Sequence, residues 1–212
     1  MTISHTRRFD LSFLSRQITE IQAEHEERLV QLCRGIQPPR VVTVAPFALG
    51  MPQCGPYDAE KWVSDRLDLL RENREIFEDT VNYRQIAFCV NRGGHHFTNA
   101  ALGCETDCDD TGVPYIVPGS RPSWTGDALH LPDPQECPLV QEMLDLTQFV
   151  LEATEGRIPV EIPHVTEPLL QAVDLFGEDC LLALAEEPEL GRQCLTELTR
   201  FGERMKENSG DG

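Results

Sequence analysis

No stretch of this chain approaches the run of roughly 18 apolar residues that a membrane-spanning helix needs. The first residues also lack the continuous apolar segment of a secretory signal, so no leader is expected. Positive charge is scarce. Eighteen Lys and Arg face 36 Asp and Glu, for a formal net charge of −18. Such a chain repels phosphate backbones and anionic bilayers, which argues against nucleic-acid and membrane partners. It gives no general attraction for a polycarboxylate either, so a site for one would need local arginines. No GxGxxG or Walker pattern is present, and no internal repeat or low-complexity tract.

Eight cysteines are scattered along the chain. Cys33, Cys180 and Cys194 sit beside apolar residues in helical patterns, where a free thiol packs as a small hydrophobe. That usage fits a reducing, cytoplasmic compartment. A length of 212 residues fits one domain and can bury a real core.

The apolar spacing predicts a helix over 11–34, with Asp10 as N-cap and Gly35 and Pro38-Pro39 ending it. Val41 to Val44 is a short β-branched strand candidate, and Gln85 to Val90 is a second. Between them, Asp58 caps a helix over 59–79, whose stripe is Trp62, Val63, Leu67, Leu70 and Phe77. Residues 91–135 are rich in Gly and Pro and read as one long irregular stretch. A helix over 139–153 follows, with Gly156 at its C-terminus. Then come a strand at Ile158, Val160 and Ile162, a helix opened by Pro168 and broken at Gly177, and another opened by Pro188. Strands alternating with helices argue for a parallel sheet with helical cover.

Three constellations could carry chemistry. His96 with Cys104 and Cys108 offers nitrogen and sulfur donors for a zinc ion, and Asp107, Asp109 and Asp110 add negative charge beside them. The alternative is a polar loop with partly buried thiols. Asn91-Arg92-Gly93-Gly94 follows a strand and could hold an anion through the guanidinium and backbone N–H groups. The alternative is a turn that needs positive φ at glycine. His164, Thr166 and Glu167 follow the third strand; His164 could shuttle a proton near neutral pH. The alternative is a strand-end histidine bonded to backbone. Asp174 falls within a helix and reads as structural.

The order strand, Gly/Pro loop, Pro168-Leu169, Asp174-Leu175, Gly177, Leu181-Leu182, Pro188-Glu189 and Leu195 resembles the uroporphyrinogen decarboxylase superfamily. Arg40 to Val44, Ala101 to Cys104, Leu131 to Pro134 and His164 to Pro168 resemble further segments of its N-terminal half. The resemblance implies an α/β fold, a partial (β/α)8 TIM barrel of about three to four parallel strands with covering helices. Residues 1–40 would form an N-terminal helical extension, 41–206 the half-barrel, and 207–212 a disordered tail.

That superfamily includes cofactor-free decarboxylation of uroporphyrinogen and zinc-dependent methyl transfer linked to corrinoid proteins. The resemblance therefore implies carboxy-lyase or methyltransferase chemistry on a small molecule. His164 and Glu167 would be catalytic, and Asn91, Arg92, Gly93, Gly94 and Thr166 would bind substrate. Zinc would fall to Cys104, Cys108 and His96; decarboxylation would need no cofactor. The decarboxylase's arginine pair and aspartate have no counterparts after Val44 and Val90. A half-barrel would seek a complementary half, a second copy or a corrinoid protein. The competing expectations are a corrinoid-linked methyltransferase subunit, a truncated non-catalytic product, and a small acidic module that binds a metal or anion.

Overall fold

The computed structural model describes residues 8–14, 18–36, 49–50, 57–73, 87–90, 92–117, 120, 131–161 and 165–208. The strand expected at Val41 to Val44 lies outside them. Of the tail expected at 207–212, Glu207 and Asn208 are instead the end of the last helix, and 209–212 lie outside the described residues. The chain divides into two compact units. One comprises Met1–Met51, Tyr57–Val90 and Asp145–Glu161; the other comprises Pro52–Pro56, Asn91–Leu144 and Ile162–Gly212.

The first unit holds α1 (Ile18–Cys33), β1 (Leu49–Gly50), α2 (Ala59–Glu72) and β2 (Phe88–Cys89), and closes with β5 (Val160–Glu161). Asp58 caps α2 as its sequence indicates: the side chain accepts from Lys61 N at 2.9 Å. Trp62, Val63, Leu67 and Leu70 form the buried stripe of α2, and Trp62 meets Phe88 edge-on with ring centroids 5.2 Å apart. The helix expected from residue 11 begins at Ile18 instead. Asp10 caps only a local turn, accepting from Ser12 N at 2.9 Å. Arg157 holds that turn, donating to the carbonyls of Leu11 and Leu14 at 3.0 and 2.7 Å.

The strands pair in parallel in the order β1-β2-β5, with Leu49 opposite Phe88 and Phe88 opposite Val160. Among the described residues each ladder is two residues long. Pro159 directly precedes β5, and proline has no N–H to extend a ladder. The expected partial (β/α)8 barrel is therefore corrected. The described residues are mostly helical, with one short parallel sheet and one antiparallel hairpin. Barrel helices each cover a strand, whereas the last three helices here bury their apolar faces on one another.

That packing defines the second unit. It contains a 3-10 turn (Gly94–His96), α3 (Phe97–Ala101), β3 (Thr106–Cys108), β4 (Pro114–Ile116) and a second 3-10 turn (Pro134–Glu136). The helix α4 (Pro138–Ala153) starts in this unit and ends in the first. Its C-terminus is closed by Glu155 and Gly156, both at positive φ, with Gly156 N bonded to Leu151 O at 2.8 Å. After β5 come α5 (Pro168–Phe176), α6 (Asp179–Glu186) and α7 (Pro188–Asn208). Pro168 and Pro188 open their helices, and Gly177 ends α5 at φ 78°. Cys104, Ala172, Leu175, Cys180, Cys194 and Leu198 form the buried cluster among these helices. The irregular stretch of the sequence is thus partly ordered: β3 and β4 pair antiparallel, Asp107 opposite Tyr115.

Candidate functional site

The second unit brings its polar side chains together where α3 faces α5. Gly93 and Gly94 take φ of 75° and 53°, a left-handed bend that starts the 3-10 turn carrying His95 and His96. The turn runs directly into α3, and β4 packs against it. Across from it, α5 presents Gln171 and Asp174, which lie three residues apart and so share one face.

His96 Nδ1 stands 3.3 Å from Asp174 Oδ2. Asn99 Nδ2 donates to the same oxygen at 2.9 Å. Asn99 is wholly buried, while the side chains of His96 and Asp174 keep 26% and 19% exposure. The carboxylate is therefore held from its buried side and faces the imidazole on its open side. A carboxylate at Nδ1 favours the proton on that nitrogen, which leaves Nε2 as the acceptor of a neutral ring. Behind the pair, the buried Thr166 hydroxyl donates to His95 O, and Gln171 Nε2 donates to Thr166 O.

The expected site residues fall in different places. His164 and Asn91 lie outside the described residues. Glu167 precedes Pro168 at the start of α5, and its side chain makes no capping bond. Thr166 is a buried brace rather than a group open to a ligand. Arg92 pairs with Glu142 at 3.3 Å, so its charge is already engaged. Gly93 and Gly94 form the turn just described. His96 turns to Asp174, Cys104 packs in the apolar cluster, and Cys108 is disulfide-bonded. A sulfur in a disulfide has no thiolate to give a metal. Among the described residues, no group of three or more His, Cys, Asp or Glu is placed to hold a metal ion.

Sequence reasoning missed Asn99, Gln171 and Asp174. A signal was available for two of them. The helix PLLQAVDLF carries only two polar residues, Gln171 and Asp174, and their spacing aims both at one neighbour. Asn99 had no such signal, because its role depends on the fold bringing α3 to α5.

A groove of about 620 Å³ runs along α7, lined by Glu187, Pro188, Leu190, Gln193 and Thr196 among others. Its arginines pair along the helix, Arg192 with Glu189 and Arg200 with Glu197. No residue of the His96 cluster lines it. No family model matches this chain, and neither a curated protein nor a solved structure matches it.

Proposed function

We propose that this protein is an enzyme acting on a small molecule by proton transfer at His96. The observation that carries this reading is the geometry of three side chains. Asp174 faces His96 Nδ1 at 3.3 Å, and Asn99 fixes the same carboxylate oxygen at 2.9 Å. A histidine oriented by a carboxylate can take a proton at Nε2 and return it later in the cycle. The partial exposure of His96 leaves room for that exchange with a bound molecule.

The chemistries implied by the resemblance ask for other parts. Decarboxylation of a polycarboxylate calls for a free arginine clamp, and Arg92 is engaged by Glu142. Zinc-dependent methyl transfer at the expected ligands calls for thiolates, and Cys108 is in a disulfide while Cys104 is buried in apolar packing. Proton transfer at His96 asks for neither.

The test is incubation with pooled small metabolites in D2O, read by mass spectrometry for deuterium uptake or a new product. Turnover of at least one compound is expected. His96→Gln should lower its rate by about 100-fold or more, the usual worth of a positioned acid or base. If no compound changes, or if His96→Gln works as well as the parent, the reading fails.

A further inference from the structure

We infer that Thr166 is the positioning residue that sets His96 against Asp174. Its side chain holds the turn that carries the histidine, and its main chain holds the helix that carries the carboxylate. The consequence for turnover rests on the proton-transfer reading of the proposed function; the orientation of the ring does not.

The first hold is on a single peptide plane. Thr166 is buried, and its hydroxyl donates to His95 O. That oxygen belongs to the same planar unit as His96 N. On the other edge of the plane, His96 N donates to Gly93 O at 2.9 Å. The plane is thus gripped from both sides, and it leads directly into the His96 Cα. Its tilt decides where the imidazole starts from. Threonine suits this task, because its branched Cβ restricts χ1 and leaves a buried hydroxyl little freedom.

The second hold is on α5. Thr166 O accepts from Gln171 Nε2, and Gln171 has no exposed surface. The main-chain N–H of Gln171 donates to Glu167 O at 3.0 Å, so the residue is tied to the segment before α5 by both its side chain and its backbone. Asp174 stands three residues further along the same face of that helix. Thr166 therefore joins the turn bearing His96 to the helix bearing Asp174. The 3.3 Å between His96 Nδ1 and Asp174 Oδ2 is the separation this link spans. Asn99 plays the complementary part, since it fixes the carboxylate oxygen and leaves the turn to Thr166.

The test is nitrogen-15 NMR of the histidine rings in the full-length protein, at a pH where the His96 ring is neutral. The parent ring should carry its proton on Nδ1. Thr166→Val keeps the shape and removes the donor, and its His96 should become a mixture of tautomers. Thr166→Ser keeps the donor and should give the parent spectrum. Thr154→Val is the control. It removes another buried threonine hydroxyl, bonded to Val150 O at 2.7 Å in the first unit, and should leave His96 unchanged. With a compound that the protein turns over, Thr166→Val should lower kcat by up to about 100-fold with KM little changed, the cost of misplacing a reacting group by roughly 1 Å. An ordered ring without turnover of any compound would leave this inference standing and remove the proton-transfer reading. A parent-like ring in a folded Thr166→Val overturns the inference, and so does an equal disturbance in Thr154→Val. The parent decides the matter if Thr166→Val does not fold: a Thr166 hydroxyl proton in slow exchange supports the hold, and one that exchanges freely with solvent overturns it.

Discussion

Gly191 of α7 lies against the backbone of α6: a Cβ placed on it would stand 3.0 Å from Leu184 Cα and closer still to the Leu184 side chain. The absent side chain is what lets the two helices approach this far. Helix contacts of this closeness fix where α7 runs, and with it how Cys194 and Leu198 reach the buried cluster.

Gly191→Ala should therefore destabilise the protein, although alanine is the better helix former. Helix propensity gains about 1 kcal/mol. Overpacking costs about 1–3 kcal/mol, and here the obstructing atom includes main chain that cannot rotate aside. Gly202 offers a graded comparison. Its added Cβ would meet Val165 Cγ1 at 2.7 Å, a side-chain atom with more freedom to move. Urea unfolding should place the Gly191→Ala midpoint below that of Gly202→Ala. A midpoint for Gly191→Ala at or above the parent would show that α6 and α7 separate at no cost.

The ends of several elements were legible in the sequence because they depend on neighbours in the chain. Asp58, Pro168, Gly177 and Pro188 each start or stop a helix by local chemistry, and each does so in the structure. The barrel was not legible, because alternation of strands and helices leaves open which faces meet. Here the faces of α5, α6 and α7 meet one another, and parallel pairing among the described residues is confined to two-residue contacts. The site followed the same division. His96 was visible as a ligand-type residue, but its partner was not. Asp174 lies 78 positions away, and within its own helix it had only the look of a structural residue.

The turn between β3 and β4 makes a prediction about acid. Asp109 Oδ1 accepts from the Thr111 hydroxyl at 2.6 Å, from Thr111 N at 2.8 Å and from Val113 N at 3.0 Å. The Thr111 side chain, followed by the backbone N–H of Val113, holds the Asp109 carboxyl below the ordinary aspartate value of 3.8. A depressed folded-state pKa means that the ionised turn is fully stabilising above pH 3.8. That contribution is lost as pH falls through the lower folded value. An NMR titration of the Asp109 carboxyl should find its midpoint below 3.8, and Thr111→Val should move it back up. A midpoint at 3.8 in the parent, or one insensitive to Thr111→Val, would count against the turn as drawn.

Cys194 carries the opposite shift. Burial pushes its thiol from the ordinary 9.0 up to about 11, and the neighbouring Cys180 adds to the effect. Burying a thiolate is costly, so the folded state holds the proton more tightly than the unfolded chain does. The stability linked to this group is complete below pH 9 and declines as pH rises toward 11. Cys33, by contrast, is exposed and free. At pH 8, iodoacetamide should modify Cys33 quickly and Cys194 only on the timescale of unfolding, as peptide mass spectrometry would show. Labelling of Cys194 as fast as Cys33 in the folded protein would mean that α6 and α7 open readily. The same result would remove the tight contact at Gly191, because both observations depend on one closed helix pair.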